Sequence, residues 1–258
     1  MGKYKFLYIQ YGKNDIYRRE LLYSLKTLRD FHDLSRDDVF VYTDNPSAYV
    51  DIPATIVSIK DDISIYQTGG YHFRIKPCVI YRALEEINNL EQLIFLDTDT
   101  YIKSSLLNKI RMIDKKTALM NSFELKNPYP NDSLDEINLR SGKIYSYTEE
   151  SVMFNSGLIG IEREHKGIFL DCIDIIDAMR MNNFKSHTIE QCALSEAFRI
   201  NGFRTIPVDS EIFHYWRGTD KRYMHTQFQK GLIEGSFPFK KINHSWLKAR
   251  LLKFFNNL

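Results

Sequence analysis

Two aspartates one residue apart close the apolar run Leu93-Ile94-Phe95-Leu96, which continues directly into Asp97-Thr98-Asp99-Thr100. An apolar run of this length suits a strand buried on both faces. If the backbone stays extended past Leu96, residues two apart share a side, and both carboxylates converge on one ligand. Strand carboxyl ends are where open parallel α/β sheets bind their ligands. Paired carboxylates are hard oxygen donors that suit Mg²⁺ or Mn²⁺, and such an ion would hold the phosphates of a nucleotide. The plain alternative is an acidic turn, since aspartate is common in turns.

The elements that would carry this pair are readable on either side of it. Lys3 to Ile9 suits a strand, and Ile16, Leu21, Leu22, Leu25 and Leu28 follow at helical spacing. Val39 to Thr43 and Thr55 to Ile59 read as further strands, with a helix opening near Pro77 and carrying Val79, Ala83, Leu84 and Ile87 on one face. Short strands are expected around Ala118 to Met120 and Leu158 to Ile161, and helices over Ile168 to Met179 and Thr188 to Phe198. The alternation argues for a mostly parallel sheet covered by helices on both faces. Lys126 to Tyr147 is polar, turn-rich and carries two prolines, and reads as an inserted loop or lid.

Composition bounds the function. The chain has 258 residues, 43% of them hydrophobic and 14% aromatic, enough for a large core and incompatible with global disorder. Its longest stretches without a charged residue are eleven long, against about 20 needed to cross a bilayer, and the opening MGKYKFLYIQYGKND does not read as a signal peptide. Three widely spaced cysteines, Cys78, Cys172 and Cys192, read as reduced thiols in a cytoplasmic protein. A net charge of +2 gives no nucleic-acid footprint. The basic character lies in the tail: five lysines and arginines and no acid follow Glu234, so the first 234 residues carry −3. The expected organisation is one domain over 1–239 and a basic amphipathic tail over 240–258. The apolar spacing of that tail suits either docking on the domain or contact with an anionic membrane surface.

Two enzyme classes end a strand in this way. The aspartate phosphatases use Asp-x-Asp-x-Thr near the N-terminus with a later lysine and acidic pair; here Tyr101 stands where threonine is wanted, and the echo Gly218-Thr219-Asp220 lacks the second acid. The fuller resemblance is to glycosyltransferase family 8, which includes bacterial lipopolysaccharide galactosyl- and glucosyltransferases and glycogenin, of the Rossmann-like GT-A fold. Tyr71-His72-Phe73-Arg74-Ile75-Lys76 resembles the family's Tyr-x-x-Arg-x-Lys segment, and LIFLDTDTYI its metal-binding strand. Phe154-Asn155-Ser156-Gly157 resembles the segment that faces the sugar, and Glu190-Gln191 the Asp-Gln pair. His214 to Lys221 resembles the histidine, glycine, lysine signature, with one extra residue between histidine and glycine.

The resemblance implies a metal-dependent glycosyltransferase that moves a hexose from a UDP-sugar to a glycan or glycolipid acceptor with retention. Asp97, Asp99 and His214 would hold Mn²⁺ or Mg²⁺, with His244 beside Lys248 as the rival histidine. Arg74, Lys76, Thr98, Asn155, Gly157, Tyr11 and Gly218 would contact the nucleotide sugar, the asparagine by hydrogen-bonding it and Gly157 by letting the backbone come close. Glu190 would meet sugar hydroxyls, Gln191 would lie under the anomeric carbon, and Lys221 would stabilise the departing diphosphate. A carbohydrate-binding protein on a decayed transferase scaffold is the non-enzymatic alternative. The intact acids, Asn155, Gln191 and Lys221 speak against decay.

Overall fold

Strands and helices alternate along a mixed α/β chain, seen here in a computed structural model that describes residues 4–12 and 14–229. In order they are β1 (Tyr4–Gln10), α1 (Asp15–Arg29), β2 (Val39–Thr43), β3 (Thr55–Ser58), α2 (Ile63–Tyr66), α3 (Ile75–Glu86), β4 (Gln92–Leu96), β5 (Thr100–Ile102) and α4 (Leu107–Ile110). There follow β6 (Thr117–Lys126), β7 (Leu134–Asn138), β8 (Ile144–Tyr147), β9 (Val152–Glu162), α5 (Gly167–Met181), α6 (Ile189–Ile200), β10 (Arg204–Pro207), β11 (Ile212–His214) and α7 (Gly218–Gln227). The chain divides into two compact units, Met1–His214 and Tyr215–Leu258. Of the second, the described part is 215–229, whose one helix is α7. The expected 1–239 boundary, the basic tail and His244 lie outside the described residues.

The first unit is built on a seven-stranded sheet of order β10-β6-β9-β4-β1-β2-β3. Every neighbouring pair is parallel except those of β9, which runs antiparallel to both β4 and β6. Strand alternation sends successive apolar residues to opposite faces. Phe95 and Ile159 join the core under α3, α5 and α6, while Ile94, Leu96 and Leu158 join the core under α1. Helices therefore cover both faces, as the sequence pattern predicts.

Three expectations are corrected. The 126–147 segment is not a bare loop: β7 and β8 pair antiparallel, and Leu134, Leu139, Tyr145 and Tyr147 are buried in the main core. Its polar residues are the outward half of that hairpin. The strands read near Met120 and Leu158 are longer than their apolar cores, reaching Lys126 and starting at Val152. The helix expected over Thr188 to Phe198 runs over Ile189–Ile200, and Thr188, just before it, makes no capping bond; its Oγ1 lies 2.9 Å from the Tyr129 hydroxyl.

Candidate metal centre

Strand register builds the site. Leu96, the last residue of β4, pairs with Leu158, so Asn155, Ser156 and Gly157 overhang the end of β4. The ladder runs one residue further, with the Asp97 N–H donating to the Gly157 carbonyl at 2.9 Å. Beyond it the backbone turns. The Thr100 hydroxyl donates to the Asp97 carbonyl at 2.7 Å, and β5 then leaves as a two-stranded ribbon with β11. That ribbon pairs His214 with Thr100, beside Asp99. The extended backbone expected over Asp97 to Asp99 is thus replaced by a turn, and it is the turn that brings the carboxylates together.

Ligating atoms of Asp97, Asp99 and His214 all lie within 4.8 Å of one another. His214 Nε2 is 3.0 Å from Asp99 Oδ1 and 3.7 Å from Asp97 Oδ2. Donors about 2.1 Å from a shared octahedral ion sit about 3 Å apart when adjacent and about 4.2 Å when opposite, so these spacings fit a bound divalent ion. The side chains of Asp99 and His214 are 12% and 8% exposed, which keeps the pair largely out of water. The group could hold a metal ion.

Gly157 makes room for the histidine. A Cβ there would stand 2.7 Å from His214 Cγ and 2.8 Å from Cε1, far inside contact distance, so only glycine lets the ring lie against the strand. The resemblance gives this glycine to the sugar; in the structure it accommodates the imidazole. Gly157→Ala is expected to push the ring off its position and weaken Mn²⁺ binding about 10- to 100-fold, the range seen when a ligand loses its support. Calorimetric titration with Mn²⁺ checks this, and an unchanged affinity would remove His214 from the site.

On the other side of β9, Lys76 near the start of α3 reaches Asp97. Its ammonium donates to Asp97 Oδ2 at 3.1 Å, Ser156 Oγ at 2.9 Å and the Ser156 carbonyl at 3.3 Å, and lies 3.6 Å from Glu190 Oε2. It also rests 5.2 Å from the Phe95 ring centre. Burial works to lower the pKa of this lysine, but Asp97 and Glu190 outweigh it and raise the pKa, so the amine stays charged. Burial raises the Glu190 carboxyl, Lys76 pulls it back and Asp97 adds to the rise. The Tyr11 phenol is pushed up to about 12 by burial, with Lys76 lowering it and Asp97 and Glu190 raising it, so it shares the field of these groups.

First-turn residues of α6 close this side. Ser156 donates from Oγ to Glu190 Oε2 at 3.0 Å and from its backbone N–H to Gln191 Oε1 at 3.1 Å. The Glu190 N–H donates to the Tyr71 hydroxyl at 3.0 Å, and that hydroxyl donates to the His187 carbonyl at 2.8 Å. Thr98 lies half-buried in the turn. Arg74 is engaged elsewhere: its guanidinium makes a bidentate pair with Asp177 of α5, at 2.7 and 2.9 Å. Gly218 and Lys221 belong to the second unit, in the first turn of α7, where the Lys221 N–H donates to the Arg217 carbonyl at 2.8 Å.

Three members went unassigned in the sequence. Ser156 had a signal: between two residues facing one way along a strand, it must face the other. Asn121 and Glu124, whose side chains meet Asn155 at 2.9 Å each, had none. Among the described residues no helix is long and apolar enough to cross a membrane. No protein-family model matches the chain, and no curated protein matches it in sequence.

Proposed function

We propose that the chain is a metal-dependent glycosyltransferase of the GT-A type, moving a hexose from a UDP-sugar to a glycan or glycolipid acceptor. The observation that carries this reading is the Asp97, Asp99 and His214 cluster at the carboxyl end of a parallel strand, with its ligating atoms within 4.8 Å of one another. Mn²⁺ is the proposed ion, because one imidazole among carboxylates favours it over Mg²⁺. Bound there, it would hold and neutralise a diphosphate. Lys76 adds a fixed positive charge beside Asp97, and Gln191, a poor nucleophile, offers an amide next to Ser156. Glu190 would take sugar hydroxyls. Retention of configuration and the parts played by Tyr11, Thr98, Arg74, Gly218 and Lys221 rest on the resemblance to glycosyltransferase family 8.

The test is UDP binding by calorimetry with Mn²⁺ and with chelator. UDP is expected to bind only when the metal is present. Equal affinity in both, or no binding in either, would reject the proposal.

A further inference from the structure

The resemblance assigns Asn155 to the donor sugar, yet its side-chain oxygen is already fully committed inside the protein. Asn155 is 2% exposed. Its Oδ1 accepts from Asn121 Nδ2 at 2.9 Å and the Gly157 N–H at 2.9 Å, and lies 2.7 Å from His214 Nδ1. Its Nδ2 donates to Glu124 Oε1 at 2.9 Å.

Two of these partners fix which way the amide faces. A backbone N–H can only donate, so the atom it meets is the oxygen. An ionised carboxylate can only accept, so the atom facing Glu124 is the nitrogen. The ring nitrogen on Oδ1 must therefore carry a proton: His214 is an Nδ1–H donor to Asn155. Nε2 then faces Asp99 Oδ1 at 3.0 Å, a contact that needs a cation between the two acceptors: a proton in the metal-free protein, or the metal ion that would replace it and take the Nε2 lone pair.

We propose that Asn155, held in turn by Glu124, is the positioning residue that selects the metal-binding form of His214. It fixes the tautomer and the ring plane through Nδ1, while Gly157 leaves the space for the ring. Metal-bound histidines generally donate their second ring nitrogen to such a partner. The proposal rests on the metal-site reading above and goes beyond it, giving Asn155 a part that does not depend on any sugar.

The experiment uses the full chain and Mn²⁺ alone, with no nucleotide. Affinity is read from the electron paramagnetic resonance of free Mn²⁺, and histidine ligation from the ¹⁴N coupling of the bound ion. Asn155→Leu, close in size but unable to accept, is expected to lose about 10- to 100-fold in affinity, together with the ¹⁴N coupling. Asn155→Asp combined with Glu124→Gln keeps the acceptor for His214 and restores a bond between positions 124 and 155 with its polarity reversed. That pair is expected to keep the ¹⁴N coupling and near-wild-type affinity, and it carries the test if the leucine variant does not fold. Loss of the coupling in the swapped pair, or its retention in a folded Asn155→Leu, would overturn the positioning role and leave the metal site standing. Absence of Mn²⁺ binding in the unmodified chain would overturn both.

Discussion

Asp99→Asn is expected to abolish Mn²⁺ binding, and metal-dependent UDP binding with it, without destabilising the metal-free protein. Asp99 Oδ1 lies 3.0 Å from His214 Nε2. An amide in its place loses the negative charge, and its NH₂ can donate to the Nε2 lone pair, so one substitution disables two ligands. The same change removes the repulsion between Asp99 and the partly solvated Asp97, and replaces the Asp99–His214 hydrogen bond by one from the new amide. Metal-free stability should therefore stay level or rise, a pattern typical of residues kept for function at some expense in stability. Thermal melts separate the outcomes. At 100 times its Kd a ligand stabilises the folded state by about 2.7 kcal/mol, which for a unit of this size is a rise of about 5–10 °C in Tm. Wild type should show that rise with Mn²⁺ and Asp99→Asn none. A full shift in the variant would place the ion elsewhere.

Lys76→Met is expected to lower metal-free stability by about 3 kcal/mol, since removing one partner of a buried ion pair leaves its acids uncompensated. The lysine side chain is 12% exposed and that of Glu190 3%, while Asp97, at 25%, retains some solvent to screen it. In Tm the loss amounts to about 6–12 °C. Two further measurements identify the cause. Glu190→Gln added to Lys76→Met should recover part of the loss, as expected of groups in one network, and Mn²⁺ should recover part by neutralising Asp97. A single variant melting within about 2 °C of wild type, a shift worth under 1 kcal/mol, would show that Lys76 does not hold the cluster together.

Asp97 and Asp99 were the most legible chemistry in the sequence, because an apolar strand that stops abruptly at two carboxylates offers hard oxygen donors where α/β sheets bind ligands. Their convergence was anticipated for the wrong local reason, alternation along extended chain; the Thr100 hydroxyl makes a turn instead. Sheet class and helix positions were also legible, since hydrophobic periodicity is a local signal. Contacts between distant segments were not. Arg74 was given to the nucleotide sugar by the resemblance, with no sign of Asp177, its partner 103 positions on, which holds both ends of its fork. Glu124 was invisible because the polar residues Asn121, Ser122 and Glu124 hid the continuation of β6 past Met120. Gly157, singled out by motif as a sugar contact, shows its closeness to the imidazole only once the ring of His214 is set against it.

The reversed direction of β9 sets a strict limit on its length. Neighbouring strands finish at the edge where β9 is just beginning, so its opening residues are paired with β6, through two shifts of register, where a parallel strand would offer only loop. At that edge Asn155 and Gly157 point one way and Ser156 the other, while Leu158 and Ile159 feed separate cores further along. Between Asn155 and Ile159 the register with β6 already shifts, four steps of β9 spanning two of β6, and adding or deleting a single amino acid would move that irregularity off the residues around His214. Tolerance of insertions should accordingly be lowest here, in a stretch that carries no ionisable group between Ser151 and Ile161.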